Sequence, residues 1–129
     1  FAGDLASNGV LPFLRGADVD PKGWEKTLPR LAALKIDRMV PGHGRIGPRE
    51  GIADTAAYVR RVNEIALRLA LADVSPSLIG SQLAAPENMI ENVKLTPEHI
   101  ANVTAVCEIV RREREKQRAS SPTPTPPRR

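Results

Sequence analysis

Two side chains of the kind that hold a metal ion occupy positions where the backbone would present them openly: Asp4, in FAGD, and His43, in VPGHG. Ile36–Gly44 (IDRMVPGHG) reads as a short buried strand over 36–40 that runs directly into a glycine-flanked histidine. Pro41 has no N–H to give to a ladder, so the strand is expected to stop there. Gly42 and Gly44 permit backbone angles and close approaches that bulkier residues resist. One imidazole is then carried on a tight loop, which suits a metal ligand and equally suits a plain surface turn. The second stretch favours the ligand. In Phe1–Gly9 (FAGDLASNG) an apolar start gives way to Gly3 and then to the Asp4 carboxylate, again at what reads as a strand end. Metal-competent groups at two adjacent strand ends form a pattern of sites rather than of cores.

FAGD, followed about forty residues later by VPGHG with an amphipathic helix between, resembles the second half of the metallo-β-lactamase superfamily over Phe1 to Asp73. The resemblance implies that Asp4 bridges two metal ions and that His43 is the terminal ligand of the second. It implies zinc, two ions in the full-length protein, with iron as the alternative for the same ligand set. It implies a hydrolase in which metal-bound hydroxide attacks an ester, thioester, amide or phosphoester of a small-molecule substrate. Asn8, Phe13 and Arg45 would then stand on the substrate side of the site, and the same residues also suit loop anchors and solvated charges. The fold expected is α/β, an αββα-type half of two short strands with packed helices. A helical C-terminal region over 74–118 and a disordered Pro/Ser/Thr/Arg tail over 119–129 would follow.

The chain departs from that family in one large respect. The H-x-H-x-D-H motif is missing, and His43 and His99 are the only histidines. Catalytic zinc takes three protein ligands and a water, so Asp4 and His43 do not make a site alone. Asp18 and Asp20 are nearby carboxylates, but on a loop they are poor substitutes. With Phe1 in first place, the chain reads as the C-terminal part of a longer protein, its missing N-terminal half the expected partner and the fragment inactive by itself.

Composition narrows the field. Phe1, Phe13, Trp24 and Tyr58 are the only aromatics, so the core must be built from Leu, Ile, Val and Ala. The single cysteine, Cys107, rules out a disulfide framework and lies among valines, as a small buried apolar residue would. No run approaches a membrane span. The net charge of +4 divides unevenly: residues 111–129 hold seven basic and two acidic residues, leaving the rest near neutrality at −1.

The elements that would position the site follow from caps and spacing. Residues 5–20 read as a long loop pinned by Leu11, Phe13 and Leu14. Asp20-Pro21 opens a helix over 21–34 with Trp24, Leu28, Leu31 and Leu34 on its buried face, and Pro29 is expected to bend or shorten it. A long helix over 50–72 carries Ile52, Val59, Val62, Ala66 and Leu69 at helical spacing. Ser75-Pro76 opens a short helix over 76–84, residues 86–95 read as one or two helical turns, and Thr96-Pro97-Glu98 opens the last helix over 97–118. His99, in its first turn among polar neighbours, is expected at the surface.

An alternative function rests on the basic end: a non-catalytic helical module binding nucleic acid or another anionic partner. Against it, Glu113 and Glu115 interrupt the basic run and no aromatic interleaves for base stacking. The proline-rich tail also has the loose spacing of an SH3-type ligand.

Overall fold

A computed structural model describes residues 1–120. The expectation for 121–129 lies outside the described residues, and Ala119 and Ser120, expected in the tail, close the last helix instead. The class is mixed α/β. In chain order the elements are β1 (Gly3–Asn8), α1 (Pro21–Ala32), β2 (Arg38–Met39), β3 (Pro41–Gly44), β4 (Gly47–Pro48), α2 (Glu50–Leu71), α3 (Ile79–Leu83) and α4 (Pro97–Ser120). Short 3-10 turns at Pro76–Leu78 and Pro86–Asn88 flank α3, so the single short helix expected over 76–84 is two pieces.

The largest correction concerns the strands. Instead of one strand over 36–40 that ends at Pro41, Arg38–Met39 pairs antiparallel with β4, while Pro41–Gly44 is itself a strand parallel to β1. Pro41 is tolerated because it stands first in its strand, where a missing N–H breaks no ladder. Asp4 is accordingly the second residue of β1 rather than its end, and His43 lies within a strand rather than on a loop. β1 also takes in Leu5–Asn8, shortening the expected loop to 9–20. The register runs Gly3↔Pro41, Ser7↔His43 and Asn8↔Gly44, so β1 holds two extra residues opposite the same span of β3. Gly3 absorbs that bulge at φ +54°, a conformation glycine adopts without steric cost. Such bulges re-aim the side chains beside them.

A parallel pair of strands exposes backbone along its outer edges. On β1 the Thr55 hydroxyl of α2 covers one such position, accepting from the Ser7 N–H at 3.2 Å and donating to the Ser7 carbonyl at 3.1 Å. Thr55 is buried, and its hydroxyl also lies 2.8 Å from the Gly51 carbonyl one turn earlier. Sheet and helix are thereby fixed to each other by one side chain.

α1 begins as its sequence dictates: Asp20 Oδ1 accepts from the Gly23 N–H at 2.9 Å, with Pro21 in the first turn. It ends at Ala32, one turn after Pro29, and Leu34 is exposed rather than on a buried face. The core forms where α2 meets α1, α4 and β1. Ile52, Val59, Val62, Ile65 and Ala66 of α2 are fully buried with Leu28, Ala6, Val103 and Cys107, and Ile79 and Leu83 of α3 join the same cluster. One apolar core thus runs through both 1–73 and 74–118. Cys107 is buried in it, its thiol pushed up to about 11 by desolvation. Among the described residues no helix is long and apolar enough to cross a membrane.

Candidate metal site and its surroundings

Asp4 and His43 meet. The bulge in β1 sets Asp4 over the glycine that precedes His43, and Asp4 Oδ1 lies 3.4 Å from His43 Nε2. Both side chains are open to solvent, 80% and 68% exposed respectively. Gly42 makes the approach possible. A Cβ on it would overlap Asp4 Oδ1 and would stand 2.8 Å from the Gly3 carbonyl carbon and 2.9 Å from the Asp4 nitrogen.

The separation of the two donors is informative. At 3.4 Å it is longer than an ordinary N–H···O hydrogen bond, for which about 2.7–3.2 Å is usual. Two ligands at zinc–donor distances of about 2.0–2.1 Å in a tetrahedral shell stand about 3.3–3.4 Å apart. A carboxylate oxygen and an imidazole nitrogen are also a fitting donor pair for zinc or iron. The fit is to two positions of a shell: among the described residues no group of three or more His, Cys, Asp or Glu is gathered. Asp20 is engaged as the cap of α1.

The expected substrate-side residues divide. Asn8 is held in place: its Nδ2 donates to the Arg45 carbonyl at 2.8 Å, and its own carbonyl accepts from the Arg45 N–H at 3.1 Å. Gly44, Gly47 and Gly51 close around it. A Cβ on Gly44, which has φ +91°, would strike the Asn8 carbonyl, and one on Gly47 would strike the Asn8 amide. The main chain of Arg45 is therefore clamped while its side chain is exposed. Phe13 is 56% exposed and does not pin the loop; Leu14, fully buried, does. The Arg15 guanidinium lies over the Phe13 ring, 4.5 Å from its centroid.

His99 is the main residue misplaced by the sequence reading. It is 3% exposed, with Nδ1 3.0 Å from the Tyr58 hydroxyl. Asn102 completes the network: its Nδ2 donates to the Tyr58 oxygen at 3.0 Å and the Pro12 carbonyl at 2.8 Å, and its Oδ1 accepts from the Leu14 N–H at 3.1 Å. The Tyr58 hydroxyl thus accepts from Asn102 and shares a second hydrogen bond with His99 Nδ1, while burial favours the neutral imidazole. Helical spacing would have put His99 in line with Val103 and Val106 of the buried face, a signal hidden by its polar neighbours. Burial lowers the His99 pKa and raises that of Tyr58 to about 12.

The sign of the resulting pH effect is fixed. A histidine kept neutral by folding contributes fully above its ordinary value of 6.5. The contribution is lost as pH falls below that value and through the lowered folded one, at up to about 1.4 kcal/mol per pH unit. Denaturant unfolding from pH 7.5 down to 5 should show this loss, and a His99→Gln chain should show a flatter profile. Equal slopes in the two would refute the assignment.

The basic end of α4 is partly engaged in the fold. Arg114 Nη1 donates to the Ala70 carbonyl at 3.2 Å, and Arg111 Nη2 donates to the Val74 carbonyl. Both meet the chain at the C-terminus of α2, where the helix leaves carbonyls free and the dipole favours cations. Lys22 of α1 pairs with Glu113.

Comparison of the chain with family models, with curated proteins and with solved structures returns no match.

Proposed function

We propose that this chain is the C-terminal part of a metal-dependent hydrolase of the metallo-β-lactamase type, and that Asp4 and His43 are ligands of its second metal. The observation that carries the reading is the 3.4 Å approach of Asp4 Oδ1 to His43 Nε2 across the parallel β1–β3 pair, at the spacing of two ligands on one ion. The motif order, FAGD before VPGHG with α1 between, supports it further. The two parallel strands with α1 and α2 would be half of an αββα domain. The other half would supply the remaining ligands and the layers that a parallel sheet ordinarily has on both faces.

A bound metal supplies Lewis acidity and a water acidified towards neutral pH. The parts contributed by this chain are specific. Asp4 would offer a carboxylate, whose negative charge would offset nearby metal cations. His43 would offer an imidazole nitrogen, held by a strand rather than a loop, and Gly42 leaves the space both need. The Asn8 clamp fixes the main chain at Arg45, two residues beyond the histidine.

Metal analysis of the intact protein tests the assignment. Asp4→Ala and His43→Ala should each weaken the second metal by more than the roughly 10–100-fold typical of outer-shell changes. Unchanged stoichiometry and affinity in both variants would reject it.

A further inference from the structure

A cavity of about 1080 Å³ opens beside the candidate site, between residues 7–15, the exposed side of α2 and the segment 89–98. We propose that it binds an organic anion, a carboxylate or phosphate head on an apolar body, with Arg15 and Arg60 taking the head and Phe13, Met89 and Ile90 the body.

The wall that carries Phe13 and Arg15 is built rigidly. Leu14 between them is fully buried, and its N–H is bonded to the buried Asn102, which also holds the Pro12 carbonyl. Phe13 is therefore held outward at the rim, with the Arg15 guanidinium stacked on its ring. Met89, 60% exposed, belongs to the opposite wall beside the half-buried Ile90. Phe13 on the fixed wall, with Met89 and Ile90 of the 89–98 segment, gives the cavity an apolar lining suited to an apolar body.

The cations in the slot differ in what already holds them. Arg61 donates to Glu64 and to the Glu87 carbonyl. Arg15, Arg60 and Lys94 have no carboxylate at ion-pair distance among the described residues; the two arginines offer the planar donors that suit a carboxylate or phosphate head, and Arg15 Nε is buried without a hydrogen-bond partner. Arg15 Nε is itself enclosed, so an anionic head would meet the terminal nitrogens of the guanidinium, in the charge-assisted geometry that arginine offers a carboxylate or phosphate. Of the carboxylates that also line the cavity, Glu98 is drawn to the start of α4, where the backbone and the Thr96 hydroxyl, with a smaller pull from the Arg15 charge, hold its pKa below the usual range. Asp54 and Glu91 leave room for discrimination, because they disfavour a head placed away from the two arginines.

The groove begins at Ser7 and Asn8, whose Cα partners in β3 are His43 and Gly44. Only the naming of this ligand as a substrate rests on the hydrolase reading; binding itself needs no metal. The test is an NMR titration of the full 129-residue chain with decanoate, decyl phosphate and decanol, each below its aggregation limit. At least one anion should bind saturably and about tenfold or more tighter than decanol, in keeping with charge-assisted contacts. The amide shifts should be confined to the 7–15 and 89–98 walls and the facing side of α2. The two anions compared with each other show which head is preferred. Arg15→Gln should abolish the preference over decanol, and Arg60→Gln, at an exposed position safe for folding, should reduce it severalfold. Equal binding of decanol, no saturable binding of either anion, or an Arg60→Gln chain indistinguishable from wild type would overturn the proposal. Asp4→Ala should leave this binding unchanged, so failure of the metal assignment and failure of the groove are read separately.

Discussion

An Asn102→Leu chain should be less stable than wild type by about 3–5 kcal/mol, a large share of the roughly 5–15 kcal/mol that holds a domain of this size together. Asn102 is 1% exposed and makes three hydrogen bonds, to the Leu14 N–H, the Pro12 carbonyl and the Tyr58 hydroxyl. Leucine fills a similar volume and offers none of them. Each group left buried without a partner costs about 1–3 kcal/mol, less where water can enter. The damage should also be localised. The 9–15 loop loses its tie to α4, so its amides should exchange with solvent faster than those of α2, which retains its apolar contacts. Chemical denaturation gives the first quantity and hydrogen exchange the second. A loss below about 1 kcal/mol would mean that the network contributes no more than an ordinary hydrogen bond.

Gly42→Ala should harm both the fold and the proposed metal site, and one methyl group suffices. Its Cβ would overlap Asp4 Oδ1 and press on main-chain atoms of Gly3 and Asp4 within 2.9 Å. The carboxylate can rotate aside, but the backbone of β1 cannot yield without parting from β3. Overpacking of this kind costs about 1–3 kcal/mol. If the proposed assignment holds, binding of the second metal should weaken as much as in Asp4→Ala, although neither proposed ligand has been removed. A Gly42→Ala protein with wild-type metal content would show that Asp4 and His43 need not approach as closely as they do here.

The two residues of the candidate site and the contact between them differ in how far they could be read in advance. Asp4 and His43 were legible as types in suggestive settings, since a carboxylate after glycine and an imidazole between glycines are both poorly suited to a core. Their 3.4 Å approach was not legible, because it depends on a parallel pairing, a two-residue bulge and a positive φ at Gly3. None of these leaves a periodic trace. Pro41 was misleading for a physical reason. Proline ends a strand from within but is acceptable at its first position, and only the pairing partner decides which applies. His99 misled in a different way. Its polar neighbours suggested a surface turn, whereas a tyrosine 41 residues away and an asparagine one helical turn ahead turned the position into a buried network.

The sequence by itself determined the three long helices, the capped start of α1 and the apolar face of α2, because a cap and 3.6-residue spacing are local and are satisfied within a few residues. It also determined that the core would be aliphatic and the cysteine buried. Tertiary structure alone decided which strands pair, which polar groups are buried, and that Arg111 and Arg114 serve the end of α2. The side-chain bonds among those outcomes join residues far apart in the chain, 37 to 48 positions for Thr55, Arg111 and Arg114 and 88 and 90 for Asn102, and a donor's need for an acceptor does not specify where along the sequence that acceptor lies.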